Sequence, residues 1–528
     1  MDNHYLAEIK SSLPRILSLI DSDKTSKSYG VGDRYYWAWG LIDFGNATFQ
    51  GCAHGFARLW ESGLWPYNTD EKVFLRRIDS LFRGTKFLTR KDGSLEEAFP
   101  SEGSFCVTAL VAFDLLCSID LLTDLLSDKT RNEYIEIVRP LINFLLKNDE
   151  SHAIISNHLA TAASALIRWD LLIGKDVKAT DKANLLLDRI IDHQSTEGWF
   201  KEYEGADPGY QTLCLGYLAD IYLLRKDIKL LAPIAKSIRF LQYFVHPDGS
   251  FGGHYGSRCT RFYYPAGLLA LAQEVPEAAL ISSYMAQSIS KNQVVHLSCI
   301  DEPNLIPMFN SYAWAASLEN SKINDLKPNS QDNLPCHGKH HFRNNFKEAG
   351  ILIDRGTDHY SIINYKKGGV TYHFIKNTLV KEDSGVVIKS RNGNLGSNHF
   401  YDPNQSVSLA DDCLVIRNQI AQMPKKLPTL SKFLILRILC LLVFRFSNIR
   451  EIIKVLLVKY LITKPKLWAL WNVRKIQLGN NLKITDQCTL NSGYTKIDLT
   501  SNAFVPFHMA SQGYWQIQDE YSLSDSKF

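Results

Sequence analysis

The sequence predicts a multidomain α + β protein with a helical N-terminal half, an antiparallel β-domain and a basic helical insertion within that β-domain. Apolar residues recur at three- and four-residue spacing over residues 5–320. Short runs rich in β-branched residues replace this pattern after residue 340. A segment rich in Lys and Arg then separates two parts of the β region. With 528 residues, 45% of them apolar and 22% charged, the chain is long enough for two or three folded domains.

The helical half contains about a dozen amphipathic stretches separated by Gly, Pro, Asn or Asp. Residues 110–126, 159–173 and 212–224 are examples. Antiparallel helix pairs joined by polar loops form either a bundle or a toroid of hairpins. We place this domain at residues 1–325, where it ends in a polar linker over residues 326–332.

The β-domain is predicted from short runs at 350–354, 360–365, 370–375 and 385–388. Turn signals at 367–369 and 392–394 separate these runs, and strand character resumes after residue 474. Such short, closely spaced runs are typical of an antiparallel sheet. We place the domain at residues 338–528, with an interruption at 424–472.

The interruption has an unusual charge. Residues 425–466 contain ten Lys or Arg and one acid, so this segment carries +9 while the whole chain carries +4 and the remainder −5. Arg437, Arg445 and Arg450 break its apolar run, which argues against a transmembrane helix. Two basic amphipathic helices on an anionic membrane surface are predicted, with Trp468 and Trp471 as headgroup anchors. A buried helical insertion with solvated cations is the alternative.

Composition narrows the possible functions. A net charge of +4 is too small to indicate a nucleic-acid-binding protein. The ten Cys include no C-x-x-C pair and no metal-ligand spacing, so neither a metal nor a cofactor is expected. The N-terminus has no apolar signal region. We therefore expect a cytoplasmic protein that is peripheral at the inner membrane face.

Two polar helix starts carry the predicted chemistry. Asn157 and His158 begin one apolar helix, and Tyr210 begins another about fifty residues later. An amide, an imidazole and a phenol can together remove the proton from the carbon next to a carboxylate, as in uronic-acid sugars. Helix capping by Asn157, a surface His158 and simple packing of Tyr210 are the structural alternatives.

Further polar and aromatic residues are predicted to bind substrate. They are Tyr36, Trp39, Asn46, Gln50, Glu102, His254, Tyr255, Arg258 and Arg261. Arg258 or Arg261 can pair with a carboxylate or sulfate through two parallel hydrogen bonds. Turn formation is the alternative explanation of the Gly-rich loop at 248–258.

The Asn157-His158 pair, Tyr210 and the order of the two halves resemble the heparinase II/III and alginate lyase group, which includes uronyl C5-epimerase relatives. This resemblance implies an (α/α) toroid followed by a β-sandwich, with a cleft between them. It also implies that Asn157 neutralises the substrate carboxylate while His158 and Tyr210 act as acid and base.

The chain departs from that group at the start of the β-domain. Residues 346–351 lack the family's His-containing pattern. Any of five other histidines can take that place: His340, His341, His359, His373 and His399. We assign His373 to substrate binding because it falls on a predicted strand.

The expected function is proton abstraction from C5 of an acidic polysaccharide or lipid-linked glycan, by a lyase or a C5-epimerase in membrane-associated biosynthesis. One alternative is a non-catalytic glycan-binding protein. Another is a glycoside hydrolase, which needs two carboxylates across the cleft, for example from Glu204, Asp207 and Asp43.

Overall fold

The computed structural model describes residues 3–150, 153–320, 333–338, 340–402, 404–424, 429–444, 446, 449–450, 452–453, 465–499 and 503–507. The helices before residue 321 are α1 (His4–Ser18), α2 (Arg34–Trp37), α3 (Cys52–Glu61), α4 (Glu71–Leu88), α5 (Phe105–Leu121), α6 (Asp128–Lys147), α7 (Ser156–Ile173), α8 (Val177–Asp192), α9 (Pro208–Arg225), α10 (Ile228–Leu241), α11 (Ala266–Ala270), α12 (Pro276–Ser290) and α13 (Glu302–Asn320).

These helices form a closed double ring. In the inner ring each of α3, α5, α7, α9, α11 and α13 packs on the next, and α13 packs back on α3. Helices α4, α6, α8, α10, α12 and α1 lie outside them. The inner helices α5, α7 and α9 are buried almost all round, whereas outer helices such as α4 and α8 bury one face. The helical half is therefore a toroid of hairpins and not a simple bundle.

The β-domain contains two antiparallel sheets in the described part of the chain. The first has the order β1 (Phe342–Phe346), β2 (Ile351–Arg355), β3 (His359–Asn364), β4 (Val370–Ile375) and β5 (Thr378–Asp383). The second contains β6 (Val387–Ser390), β7 (Leu395–Ser397), β8 (Ser406–Ala410), β9 (Cys413–Gln422), β10 (Leu467–Gln477), β11 (Lys483–Cys488) and β12 (Tyr494–Ile497). Its order is β11-β10-β9-β7-β6-β12, with β8 on β9.

The two sheets pack face to face. Leu352 and Ile363 of the first sheet share a core with Ile416 and Ile476 of the second. The opposite face of the first sheet joins the core of the toroid. Strand β3 is consequently buried along its whole length, and the sandwich and the toroid share a continuous apolar boundary.

The structure confirms helices before residue 321 and antiparallel strands after residue 341. The predicted linker at 326–332 and the end of the β-domain after residue 507 lie outside the described residues. The insertion contributes helix α14 (Leu430–Leu442), and much of the second predicted basic helix, over 454–464, also lies outside them. Among the described residues, no helix combines the length and the apolar content needed to cross a bilayer.

The predicted insertion boundary at residue 472 and the headgroup anchors were wrong. Trp468 and Trp471 belong to strand β10. Trp468 is buried against Tyr494, and the guanidinium of Arg417 lies 4.8 Å from the ring centre of Trp471. Buried residues alternate with more exposed ones along β10, so both indoles stabilise the sandwich.

Candidate functional site

The N-terminal ends of the inner helices lie together at one end of the toroid. Successive inner helices are separated by an outer helix running back, so they are parallel to one another. The starts of α5, α7, α9 and α13 therefore face the same opening. The dipoles of these parallel helices make this opening favourable for anionic groups.

Asn157 is held by a buried carboxylate. Its side-chain Nδ2 donates to both oxygens of Glu202, at 3.0 and 2.9 Å, and its backbone N–H donates to the same group at 3.0 Å. Burial raises the pKa of Glu202 to about 7, although the hydrogen bonds from Asn157 oppose this. The amide hydrogens that were predicted to meet a substrate carboxylate are thus occupied by Glu202.

His158 forms a pair with Glu150. The His158 Nδ1 lies 2.7 Å from the Glu150 Oε2, and Glu150 is buried. Burial disfavours a charged imidazole, but the neighbouring Cys106 and Glu150 outweigh it and hold the pKa of His158 well above its ordinary value. Because Cys106 is itself a buried thiol with a raised pKa, we attribute the effect at neutral pH to the Glu150 carboxylate. The contact with Glu150 favours the protonated imidazole, which is the form that can donate a proton.

Tyr203 and Arg258 form a second pair beside His158. The Arg258 guanidinium lies 3.9 Å from the ring centre of Tyr203, within the range of a cation–π contact. Tyr203 adopts the left-handed backbone region, with φ of 58°, in the tight turn between Glu202 and Gly205. Burial raises the pKa of Tyr203, while the charges of Arg258 and His158 act against this rise. Such backbone strain is concentrated at functional sites.

Arg258 is distinct from the other buried arginines. Its side chain is 8% exposed and its Nε has no hydrogen-bond partner. Its backbone N–H is fixed by the Asp207 Oδ2 at 2.8 Å. Within the part of the chain that the structure describes, no carboxylate forms an ion pair with it. Among the residues that the structure describes, its charge is therefore not balanced by a carboxylate, and such a guanidinium is suited to pairing with an anion.

Tyr210 occupies the first turn of α9. Its backbone N–H donates to the Asp207 Oδ1 at 3.1 Å, and its half-buried ring makes an edge contact with Phe262 at 5.2 Å between centroids. Since α7 and α9 pack together, Tyr210 lies at the same end of the ring as Asn157 and His158. Joint action of the three on one sugar stays a prediction.

Three of the predicted substrate ligands lie inside the boundary between the domains. Arg261 forms an ion pair with Glu382, and the Nδ1 of His254 lies 2.6 Å from the same carboxylate. Tyr255 is fully buried, with its hydroxyl 2.7 Å from the Nε2 of His246. These contacts replace the proposed sugar contacts, because each group already satisfies a partner in the interface. Of the two predicted arginines, Arg258 is the one left for a ligand.

Gln50 and His373 also have structural roles. The Gln50 amide donates to two backbone carbonyls, at 3.0 and 2.8 Å, and accepts from the Gly32 N–H at 2.6 Å. His373 is buried in β4, and its ring nitrogens contact the Ser361 hydroxyl at 2.8 Å and the Asn480 carbonyl at 3.2 Å. Assigning these two side chains to substrate binding was wrong, since their polar atoms are used within the fold.

The other β-domain histidines are placed differently. His359 pairs with Asp354 at 3.0 Å, and the His341 ring meets the Thr357 hydroxyl at 2.9 Å. His399 contacts the toroid, with its Nε2 3.3 Å from the His254 carbonyl oxygen. Burial holds the pKa of His399 well below its ordinary value, so it is neutral. Among the β-domain histidines named above, His399 is the one that contacts the Gly-rich loop at 248–258.

The remaining predicted ligands surround the opening. The Glu102 carboxylate accepts from the N–H groups of Glu97 and Ala98, at 3.1 and 2.8 Å, and Asn46 caps the turn at Ala47–Gly51. Tyr36 is half-buried, whereas Trp39 extends into solvent. A cavity of about 500 Å³ lies at this rim and is lined partly by Asn46 and Glu97.

The carboxylates proposed for a hydrolase do not form a facing pair. Asp207 is fully buried and caps α9, where it also binds the loop containing Arg258 and Thr260. Asp43 forms an ion pair with Arg437 at 2.9 Å. Asp207 and Asp43 are thus engaged within the fold, whereas the third candidate, Glu204, is exposed, and the hydrolase alternative stays a prediction.

Sequence analysis missed Glu150, Glu202 and Tyr203. Glu202 contacts a residue 45 positions away, and Glu150 lies in a polar segment without periodicity. A signal was present for Tyr203, because the residues around it, Glu202-Tyr203-Glu204-Gly205, combine polar groups with a turn residue.

Comparison with known proteins identifies the fold. No protein-family model and no curated protein sequence matches the chain. Heparinase III superposes with a TM-score of 0.51 and 9% identity, over 91% of this chain and 71% of its own. Xanthan lyase from Paenibacillus matches with a TM-score of 0.46 and 11% identity, over 79% of this chain and 45% of its own.

Chondroitin AC lyase from Streptomyces coelicolor A3, solved with chondroitin sulphate, gives a TM-score of 0.46 and 11% identity over 80% of this chain and 66% of its own. This chain thus spans less than half the length of the xanthan lyase. The similarity to heparinase III supports the arrangement of an (α/α) toroid with a β-sandwich that the sequence resemblance implied.

Proposed function

We propose that the protein removes the C5 proton from a uronic-acid residue of an acidic polysaccharide, as a lyase or a C5-epimerase. The observation that carries this proposal is the buried Arg258 guanidinium against the Tyr203 ring, with the His158–Glu150 pair near the same phenol. Positive charge beside a phenol suits a substrate carboxylate that takes up the negative charge left when the C5 proton is removed.

Arg258 binds the sugar carboxylate in this proposal. A bidentate contact withdraws charge from the carboxylate and makes the C5 proton more acidic. Asn157 takes a positioning role, because its amide hydrogens hold Glu202. This differs from the role implied by the family resemblance, in which Asn157 itself meets the carboxylate.

A tyrosine phenolate removes the C5 proton and becomes a neutral phenol, and the electron pair of the C5–H bond moves into the carboxylate. Tyr203 and Tyr210 are the candidate bases, since both lie at this end of the ring. In a lyase the electron pair then forms the C4–C5 double bond, the C4–O4 bond breaks, and His158 gives its proton to O4. In an epimerase a proton returns to C5 from the opposite face. Both reactions need the same first step.

Heavy water distinguishes the two reactions. The full-length protein is incubated in it with heparin, chondroitin sulphate, alginate or polygalacturonate. A lyase product absorbs ultraviolet light, because its double bond is conjugated with the carboxylate. An epimerase incorporates deuterium at C5 without that absorbance. The absence of both signals from every uronate polymer, in a protein that still binds these polymers, supports a non-catalytic glycan-binding protein instead.

Matched variants identify the site. Replacing His158 by Ala is expected to abolish either signal, and replacing the exposed His193 at the end of α8 by Ala is expected to leave it unchanged. Equal activity of the two variants would refute the assignment of His158.

A further inference from the structure

Helix α14 exposes apolar side chains to solvent, whereas a surface helix of a water-soluble domain buries them. Its exposed residues are mostly apolar: Leu430, Phe433, Leu434, Ile435, Ile438, Leu441 and Leu442. Leu430 is 85% exposed and Leu441 69% exposed. A surface helix normally turns its apolar stripe inward and its charges outward. Here the cation Arg437 faces the toroid and the leucines face outward.

The helix is attached to the toroid through its cations. The Arg437 Nη1 lies 2.9 Å from the Asp43 Oδ1, and its guanidinium also lies over the rings of Phe44 and Phe433. Further along the insertion, the fully buried Arg450 pairs with Asp92 at 3.1 Å. These ion pairs fix the orientation of α14, so its outward apolar face is a defined surface of the protein.

Gly103 provides the space for Arg450. A Cβ at this position would lie 2.5 Å from the Arg450 Cζ, and the backbone φ of Gly103 is 59°. Phe444 is buried beyond the end of α14 and packs against Phe99, with 5.9 Å between ring centroids. The insertion is therefore seated on the segment that precedes α5, next to the opening of the toroid.

A second exposed apolar segment lies beside α14. The loop that follows α2 presents Trp39 at 93% and Leu41 at 92% exposure, and Leu41 has a φ of 52°. Two residues later this loop reaches Asp43 and Phe44, which hold Arg437. We call Trp39, Leu41 and the seven exposed apolar residues of α14 the apolar rim. Its members come from two distant parts of the chain but meet at one edge.

We propose that the apolar rim inserts into the interface of a bilayer with anionic headgroups. Exposed apolar area of this extent marks an interaction surface. The charge of the insertion selects the partner, because residues 425–466 hold ten Lys or Arg against one acid. An apolar helix within a segment of such high positive charge matches the hydrocarbon boundary and the phosphate layer of such a membrane. Pairing with the same segment of a second copy would bring two strongly positive segments together.

This attachment directs the opening of the toroid toward the membrane. The cavity of about 500 Å³ is lined by Tyr35, Phe44 and Asn46, which belong to or adjoin the same loop, and by Glu97. If the proposed uronate chemistry holds, the substrate reaches the site from the bilayer side, as a glycan anchored in lipid does. The membrane contact itself depends on the apolar rim and not on that chemistry.

Co-sedimentation of the full-length protein with vesicles tests the proposal. Vesicles contain either phosphatidylcholine alone or phosphatidylcholine with phosphatidylglycerol. We expect pelleting with the anionic vesicles and about tenfold weaker partitioning after Leu434→Glu with Ile435→Glu, because two apolar contacts are replaced by like charges of the headgroups. Trp39→Ala with Leu41→Ser is expected to weaken binding as well, although it leaves the charge unchanged. Raised salt weakens binding by the wild type.

Leu185→Glu on α8 is the matched control, since this leucine is also exposed but lies on the outer ring. Circular dichroism and thermal midpoints verify that each variant folds. Absence of pelleting by the wild type, or equal pelleting by the wild type and both rim variants, would overturn the proposal. So would a wild-type dimer in ultracentrifugation that the rim variants convert to monomer without vesicles. Loss of activity with unchanged vesicle binding would instead concern the catalytic proposal alone.

Discussion

Replacing Glu202 by Gln tests the electrostatics of the site through stability. The Glu202 carboxyl is 1% exposed and receives its hydrogen bonds from Asn157. Burial raises its pKa to about 7 from an ordinary value of 4.5. A group whose pKa is higher in the folded state stabilises the fold below its unfolded pKa, and this contribution is lost as the pH rises through the folded pKa.

The magnitude follows from that difference. The pKa of Glu202 differs between the two states over the range from pH 4.5 to about 7. Each pH unit in this range corresponds to about 1.4 kcal/mol, so the free energy of unfolding of the wild type falls by about 3 kcal/mol relative to a protein with a neutral group at this position. Gln does not titrate, and its amide oxygen still accepts a hydrogen bond from Asn157. The Gln variant should therefore gain on the wild type by about 3 kcal/mol between pH 4.5 and pH 8.

Urea unfolding followed by circular dichroism measures this difference at several pH values. Groups distant from Glu202 titrate alike in the two proteins, so their contributions cancel in the comparison. Glu204→Gln is the control, because Glu204 is two residues away and exposed. Parallel curves for the wild type and Glu202→Gln across this pH range would show that Glu202 is not held near neutrality, and the reasoning about Asn157 would fail with it.

Three further predictions concern the same region. Arg258→Ala should lower kcat/KM on a uronate polymer by about 10²- to 10³-fold with little change in Tm, whereas an unaffected rate would remove Arg258 from the site. Tyr203→Phe should lower kcat more than KM if its phenol removes the C5 proton, and a loss at Tyr210→Phe alone would assign that role to Tyr210. Glu382→Gln should destabilise the fold by about 3 to 5 kcal/mol in urea unfolding, because Arg261 would remain buried without its counter-ion; a change below 1 kcal/mol, on the order of an exposed pair, would contradict this.

Local patterns were sufficient for the elements of the fold. Helix starts at Asn157 and Tyr210 were predicted because polar residues precede apolar periodicity there, and the structure begins these helices at Ser156 and Pro208. Strand β4 was predicted at its observed bounds from β-branched residues that follow the turn at 367–369. Trp468 was misassigned because the basic and apolar segment before it favoured a membrane-interface helix. The alternation of buried and exposed residues along β10 instead places this side chain in the sandwich core.

The site could be predicted only in part. Arg258 and Arg261 lie in one polar loop, and the sequence gives no means of separating them. The fold separates them, because Glu382, 121 residues further along, pairs with Arg261. Glu150 likewise acquires its role by contacting His158 from a preceding loop. Charge pairing between distant segments depends on tertiary contacts that periodicity and turn signals do not encode.

The most direct test is a structure of the protein with a bound uronate oligosaccharide. We predict that the sugar carboxylate lies within hydrogen-bond distance of the Arg258 guanidinium, with C5 facing the phenol of Tyr203 or Tyr210. A carboxylate bound instead to the Asn157 amide, after displacement of Glu202, or a sugar bound away from the N-terminal ends of α7 and α9, would contradict the account.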